Sequence, residues 1–423
     1  MPIPTYIINL KKRVDRRISI LKEFEGRGEF DVTIVEACTH ERGATGLWET
    51  IKHILQQSVS ANHQYILICE DDHQFTEHYS SSKLFNCIAD AISKGADILC
   101  GGVSWFEDAI GLGELFLVSK FSGLQFTIIF RKFFESVVSA DFSNFDVADS
   151  KISAISRCKF VIHPFVSIQK EFGYSDATAK NNIVGRVEDL FSKSSESFQN
   201  MRLAKLFYDR IPIEKEDSVD NIENIVIPTY IIHLTERIER QEDIKREFNG
   251  KNEFDLTIVE VCRNEMGALG LWESIRKIVQ IAIVKDDDVI VISQDDHEFT
   301  EHYSRNYLIR NIIEAHAQGA DILSGGSSEY NYAVQIATNR FWIHSLLPAP
   351  FIVLYRKFFQ RILDEPFDED VKADSLLSIL TSHKMLLYPF VSRQHDGFSL
   401  IPKMVSSSNK RLNNLISYIS EYK

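Results

Sequence analysis

Two short acidic runs stand at matching places in this chain. The apolar run YILIC (65–69) is followed by Glu70, Asp71, Asp72 and His73, and VIVIS (289–293) is followed by Gln294, Asp295, Asp296 and His297. Adjacent carboxylates repel unless a cation or a set of donors offsets them. A hard divalent cation such as Mn2+ or Mg2+ does this, taking carboxylate oxygens and completing its shell with water or phosphate. The competing reading is an acidic turn that caps the next helix, because Asp is stabilising at a helix N-terminus. Capping needs one such residue, whereas both runs keep two Asp and a His. Gln294, in place of Glu70, can still hydrogen-bond a hydroxyl but adds no charge. The second run is therefore expected to hold a cation less strongly.

Other polar residues recur at the same spacing. Arg13 and Arg16 recur as Arg237 and Arg240, just after the first strand of each half. A guanidinium there can pair with a diphosphate or stack on a base, or serve as an ordinary helix-start arginine. Asn9 becomes His233. Glu36 and Glu260 end the second strands, where an acid can bind ribose hydroxyls or simply face solvent. Asp149 and Asp374 are late acids before apolar helical stretches; each fits a general base and equally a helix cap. His73 is a conceivable metal ligand, His78 a structural histidine. Trp48 and Trp272 read as core.

The matches belong to one long repeat. IPTY at 3–6 returns at 227–230, an offset of 228 − 4 = 224. The offset holds through FDVTIVEAC and FDLTIVEVC, GATGLWETI and GALGLWESI, and GADILCGG and GADILSGG, and becomes 225 at FRKFF and YRKFF. A repeat this long is a duplicated domain rather than a solenoid unit. In the first half, strands are expected at TYIINL, VTIVEA, YILIC, ADILC, FTIIF and KFVIHPFVS, the last broken by Pro164. Helices are expected at 15–24, 46–55, 83–93, 132–139 and 149–155. YILIC is apolar throughout, as for a strand buried on both faces. The alternation predicts an α/β fold: two tandem Rossmann-like domains, each a mostly parallel sheet flanked by helices. The expected boundaries are 1–180 for the first domain, 181–226 for a helical and acidic connector, 227–402 for the second domain and 403–423 for a helical extension.

Composition narrows the partners. The chain of 423 residues has 60 acidic and 47 basic residues, a net charge of −13. Nucleic acid and anionic membrane surfaces need clustered Lys and Arg, so neither is expected as a partner. A small anion remains compatible, because a few local arginines and amides can hold phosphate. No apolar run is long enough for a bilayer, no signal peptide is visible, and five of the six cysteines lie in one half. A reducing cytoplasmic location is expected, at most peripheral at the inner membrane face.

With these residues in view, the chain resembles GT-A-fold glycosyltransferases, and most closely glycosyltransferase family 25, the lipopolysaccharide and collagen galactosyltransferase type. The similarity rests on Ile8-Asn9-Leu10-Lys11-Lys12-Arg13-Val14-Asp15-Arg16, GATGLWETI, Glu70-Asp71-Asp72, Gly123-Leu124-Gln125 through Arg131-Lys132, and Pro164, Gln169, Ser175 and Asp176. It covers nearly all of 3–178 and most of 227–400. The resemblance implies a UDP-hexose-type donor, a saccharide acceptor in bacterial surface glycan or lipopolysaccharide, Mn2+ or Mg2+, and inversion at the sugar carbon. It implies Asp72, and Asp296 in the second half, as metal ligands; Glu70, Asp71, Asn9, Arg13, Arg16, Glu36 and Gln125 as donor-binding residues; and Asp149 or Asp176 as base. The second half, with Gln294, LPAPF and Ser399-Leu400, is expected to be weaker, altered or non-catalytic. The alternative is a non-catalytic nucleotide-sugar or glycan-binding protein.

Overall fold

The structure is a computed structural model, and it describes residues 2–174, 179–211, 222–233, 238–261, 267–346, 349–366, 373–395 and 401–422. The chain divides into two compact units, Met1–Arg202 and Leu203–Lys423.

In the first unit the strands are β1 (Ile3–Asn9), β2 (Phe30–Glu36), β3 (Tyr65–Glu70), β4 (His73–Phe75), β5 (Ile98–Cys100), β6 (Trp105–Phe106), β7 (Ala109–Leu112), β8 (Leu115–Val118), β9 (Phe121–Ser122), β10 (Phe126–Phe130), β11 (Lys159–Ile162) and β12 (Ser167–Gln169). The helices are α1 (Val14–Phe24), α2 (Gly43–Ser60), α3 (Ser81–Ser93), α4 (Arg131–Val138), α5 (Ala148–Ile155) and α6 (Arg186–Tyr208). All five expected helices form, with ends within a few residues of their apolar periodicity.

The main sheet runs β2-β1-β3-β10-β5-β11-β8-β7. β1 pairs in parallel with β2 and β3, and β5 with β11. β10 enters antiparallel to both β3 and β5, and β8 is antiparallel to β11 and β7. Most strands share one direction, with β10 and β8 inverted inside the sheet. Sequence pattern found β10 as a strand but not its direction, because a fully buried strand is apolar throughout in either direction. The hairpin β7–β8 was not expected. Pro164 does split the last strand run: β11 stays in the main sheet, while β12 leaves it to pair with β4.

The second unit repeats this order. Its strands are β13 (Ile227–His233), β14 (Phe254–Glu260), β15 (Val289–Gln294), β16 (His297–Phe299), β17 (Ile322–Ser324), β18 (Tyr330–Ala337), β19 (Arg340–Leu346), β20 (Phe351–Tyr355), β21 (Lys384–Leu387) and β22 (Ser392–Gln394). They are ordered β14-β13-β15-β20-β17-β21-β19-β18, with β16 paired to β22. The helices are α7 (Ile238–Phe248), α8 (Gly267–Val284), α9 (Arg305–Ala317), α10 (Arg356–Asp364), α11 (Ala373–Leu380) and α12 (Ile401–Tyr422). The sequence repeat is thus a repeat of fold, an α/β architecture built twice.

Each unit also ends in a helix laid on its own sheet. Phe198 of α6 stacks on Phe106, and Arg202 donates to the carbonyls of Gly113 and His163. In the second unit Ser408 of α12 donates to the Ser328 carbonyl and Arg411 to that of Tyr330. Among the described residues no helix is long and apolar enough to cross a membrane.

The repeated Gly-Gly pair is explained by close packing. Val166 and Ser167 both donate their N–H to the Gly101 carbonyl, drawing β12 over the end of β5. A Cβ on Gly102 would stand 2.1 Å from the Ser167 carbonyl oxygen, and one on Gly326 would stand 2.1 Å from that of Ser392. Gly102→Ala is therefore expected to destabilise the first unit by about 1–3 kcal/mol through overpacking. Chemical denaturation checks this; a loss below about 0.5 kcal/mol would mean the crossing tolerates a methyl group.

Candidate functional site

The carboxyl ends of β1 and β3 are neighbours in register, with Ile8 opposite Glu70. Asn9, Glu70 and the turn that follows therefore arrive at one sheet edge, and α1 brings Arg16 over it.

Here the acids separate into different roles. Asp71 faces the scaffold: Asn9 donates its Nδ2 to Oδ2 at 2.8 Å, and Arg16 donates Nη1 to Oδ1 at 3.0 Å. Arg16 also lies 3.5 Å from Asp72 Oδ2 and donates Nη2 to the Tyr174 carbonyl at 2.9 Å. Asn9, Arg13, Arg16 and Asp71 are all at most 9% exposed, so this clamp is internal.

Asp72 faces the site. Its Oδ1 is buried with no hydrogen-bond partner. Burial pushes its carboxyl up to about 7, with Asp71 adding to the effect and Arg16 opposing it. The Glu70 carboxyl is held well above the usual range, first by burial and then by the charges of Asp72, Asp149 and Asp71. Such a site is short of positive charge, and a divalent cation would supply it. No group of three or more His, Cys, Asp or Glu side chains able to hold a metal occurs among the described residues. The protein would thus offer Asp72 and at most one more carboxylate, leaving the other positions to water and phosphate. Mg2+ and comparable hard cations accept that division, so the residues present fit the group.

Asp149 is brought to the same edge, within electrostatic reach of Glu70. It lies in the first turn of α5 but is not the capping residue, which is Val147. Its Oδ2 accepts from Ser122 Oγ and from the Gly123 N–H at 3.1 Å, and its Oδ1 from the Ser150 N–H at 2.6 Å. Gln125 is fully buried; its Nε2 donates to the Gly102 carbonyl at 2.8 Å, and its Oε1 has no hydrogen-bond partner. Glu36 stands exposed at the end of β2, in register with Asn9. Asp176 lies outside the described residues, as does Arg237 of the second half.

After β12, sequence reasoning named Ser175 and Asp176 but missed Lys170, Phe172 and Tyr174. The Tyr174 ring lies over the Arg13 guanidinium, 3.3 Å from Cζ to centroid, and Phe172 lies 4.8 Å from that of Arg16. Lys170 donates its N–H to the Asp72 carbonyl at 2.7 Å. The available signal was the kept aromatic in GYS and GFS, Tyr174 against Phe398. His73 turns away from the site. Its Nδ1 bonds Ser167 Oγ at 2.8 Å, its ring packs among Phe24, Phe75 and Phe126, and burial lowers its pKa to about 3. His297 repeats this arrangement with Ser392, Phe248, Phe299 and Phe351. The third member of each Asp-Asp-His run thus serves the core.

The second unit keeps the geometry with other partners. His233 Nδ1 lies 3.0 Å from Asp295 Oδ2, and Gln394 donates to Asp296 Oδ2 at 2.9 Å. Asp296 Oδ1 is again buried without a partner. Burial raises the Asp296 carboxyl, Gln394 lowers it, and Asp295 raises it further. Pro350 stands where Gln125 stands, donating no side-chain bond, and Gln294 replaces Glu70.

No protein-family model and no curated protein sequence matches the chain. In fold, the chain is distantly similar to nucleotidyltransferase and glycosyltransferase structures and to A197 from STIV. A197 from STIV is 14% identical, with 42% of this chain and 87% of that one covered and a TM-score of 0.30. The apo form of a UDP-glucose pyrophosphorylase is 8% identical, with 47% and 82% covered and a TM-score of 0.27. The mannosyltransferase PcManGT from Pyrobaculum calidifontis, in complex with GDP-Man and Mn2+, is 10% identical, with 47% and 65% covered and a TM-score of 0.25.

Proposed function

We propose that the first unit is a metal-dependent hexosyltransferase. It moves a galactose-like hexose from a UDP-type donor to a saccharide acceptor in bacterial surface glycan or lipopolysaccharide synthesis, with inversion, in the cytoplasm or peripherally at the inner membrane face. The observation that carries this reading is the Asp72 carboxylate: one oxygen is buried and unpartnered at the carboxyl end of β3, where α/β sheets bind ligands.

In this reading Asp72 holds the cation. When bound, the cation stabilises charge on the departing diphosphate. Asn9, Arg16 and Asp71 fix the turn that presents Asp72. Arg13 lines the donor side, with Tyr174 on its face as a stacking surface. Glu70 and Gln125 take donor hydroxyls, and Glu36 is placed for the ribose. Asp149 accepts the proton of the acceptor hydroxyl as the new glycosidic C–O bond forms and the bond to the diphosphate oxygen breaks. Asp176 is the competing base.

The second unit is proposed to be weaker or non-catalytic, with Asp296 as its counterpart ligand. Asp149 draws on Ser122 and Gly123, whose places in the second half are taken by Leu347 and Pro348. Proline carries no N–H donor. One observation favours a second reading, a nucleotide-sugar or glycan-binding protein without turnover. Asp149 already accepts four hydrogen bonds, and its carboxylate is held by the scaffold.

Titration with a panel of nucleotide sugars, with and without Mn2+, separates these readings. A transferase gives Mn2+-dependent binding of one donor with slow release of nucleoside diphosphate, lost in Asp72→Ala and kept in Asp296→Ala. Binding without release supports the second reading. Absence of binding by the folded protein removes the transferase reading and leaves glycan binding, and loss of all turnover in Asp296→Ala alone removes the unequal roles of the two units.

A further inference from the structure

The second unit carries a cleft that no role above uses. It has a volume of about 830 Å3 and opens between the paired strands β16 and β22 and the helix α12. That volume lies within the ~300–1,000 Å3 of pockets that enclose small ligands. Its walls are Tyr388, Glu298, Arg393, Gln394, Asn409 and Asn413.

The chemistry of these walls is mixed rather than single-signed. Arg393 Nε lies 2.9 Å from Glu298 Oε2, so the guanidinium is oriented and its charge is answered locally. Tyr388 donates its hydroxyl to Asn413 Oδ1, which leaves the Asn413 amide nitrogen as a donor. Gln394 is fixed through its Nε2 on Asp296, while its buried Oε1 has no partner. A ligand hydroxyl is the group that such an acceptor lacks.

A phosphate-rich ligand calls for an excess of positive charge, which Glu298 and Glu301 counter on this face. A ligand carrying many neutral hydroxyls fits better, because each hydroxyl both donates and accepts. The amides of Asn409 and Asn413 and the Gln394 oxygen offer the matching partners. The Tyr388 ring adds an apolar surface for the carbon face of a sugar ring.

We infer that this cleft is a binding site for a neutral oligosaccharide, carried by the second unit and independent of any turnover in the first. The test is binding of the full chain to an array of neutral oligosaccharides alongside their sialylated and phosphorylated counterparts, followed by calorimetry with the best-retained neutral member. Retention of a neutral oligosaccharide is expected. Asn413→Ala and Asn409→Ala should each weaken it about tenfold, the scale of one or two lost hydrogen bonds. Asp72→Ala, in the first unit, should leave it unchanged. Asn413 is exposed and Asn409 half-buried; melting curves matching the parent show that the variants fold, and Asn409→Ser or Asn413→Ser replaces either one that does not. The inference is overturned if no neutral member is retained, if only anionic members bind, or if binding ignores the cleft variants.

Discussion

Asp72→Asn is expected to stabilise the protein above pH 7 while removing Mn2+-dependent binding of a nucleotide sugar. The folded carboxyl is raised to about 7, chiefly by burial, with Asp71 adding and Arg16 opposing. Glu70 faces the same charge, and Asp149 in turn faces Glu70. An unfolded Asp titrates near ~3.9. Between about pH 4 and pH 7 the folded chain therefore keeps a proton that the unfolded chain has released. The stability this group contributes is full below the unfolded value and is lost as pH rises through the folded one. A displacement of about three pH units corresponds to roughly 4 kcal/mol, an upper bound for a side chain coupled to its neighbours. Asparagine escapes the loss. The melting temperature of the variant should match the parent near pH 4, pull ahead up to pH 7.5 and level off beyond. Mn2+ should raise the parent's melting temperature at pH 8 and leave the variant's alone. A difference that does not change with pH would remove the buried-acid account.

Removal of Arg16 should have the opposite sign and a comparable size. Its guanidinium pairs with Asp71 at 3.0 Å, approaches Asp72 at 3.5 Å and donates to the Tyr174 carbonyl at 2.9 Å. Arg16→Met leaves two largely buried carboxylates without that charge, a change that costs about 3–5 kcal/mol when a buried pair is broken. Arg16→Lys should recover only part, because one ammonium cannot span three acceptors. The loss should shrink when Arg16→Met is combined with Asp72→Asn, which removes one of the stranded charges. Urea unfolding at pH 7.5 measures all three. A cost below about 1 kcal/mol for Arg16→Met, or strict additivity in the double variant, would show that the guanidinium is a surface bystander.

Much of this could be read from the residues themselves. YILIC is buried as its unbroken apolar run demands, and Trp48 and Trp272 are core at 0% exposure. Pro164 marks a true break between two strands. The limits are equally specific. Asp71 and Asp72 are chemically identical in sequence, and only Asn9 and Arg16, more than fifty residues away in the chain, determine which carboxylate faces inward. The repeated His73 carries the same ambiguity, since a kept histidine serves a phenylalanine cluster as readily as a site. Tyr174 meets Arg13 across most of the first unit, a pairing that no local pattern encodes. Direction within the sheet, as for β10, is likewise set by neighbours and leaves no mark on the strand.

The pairing of β4 with β12 also bears on how this chain was made. Lys170 holds the Asp72 carbonyl at 2.7 Å, and His395 holds that of Asp296 at the same distance. The acid turn in each unit is therefore fastened by residues that lie almost a hundred positions downstream. A gene fragment ending before β12 would encode most of a sheet but leave its acid turn unfastened. A copy of the domain keeps this turn fastened only if it spans the whole stretch from β1 through β12.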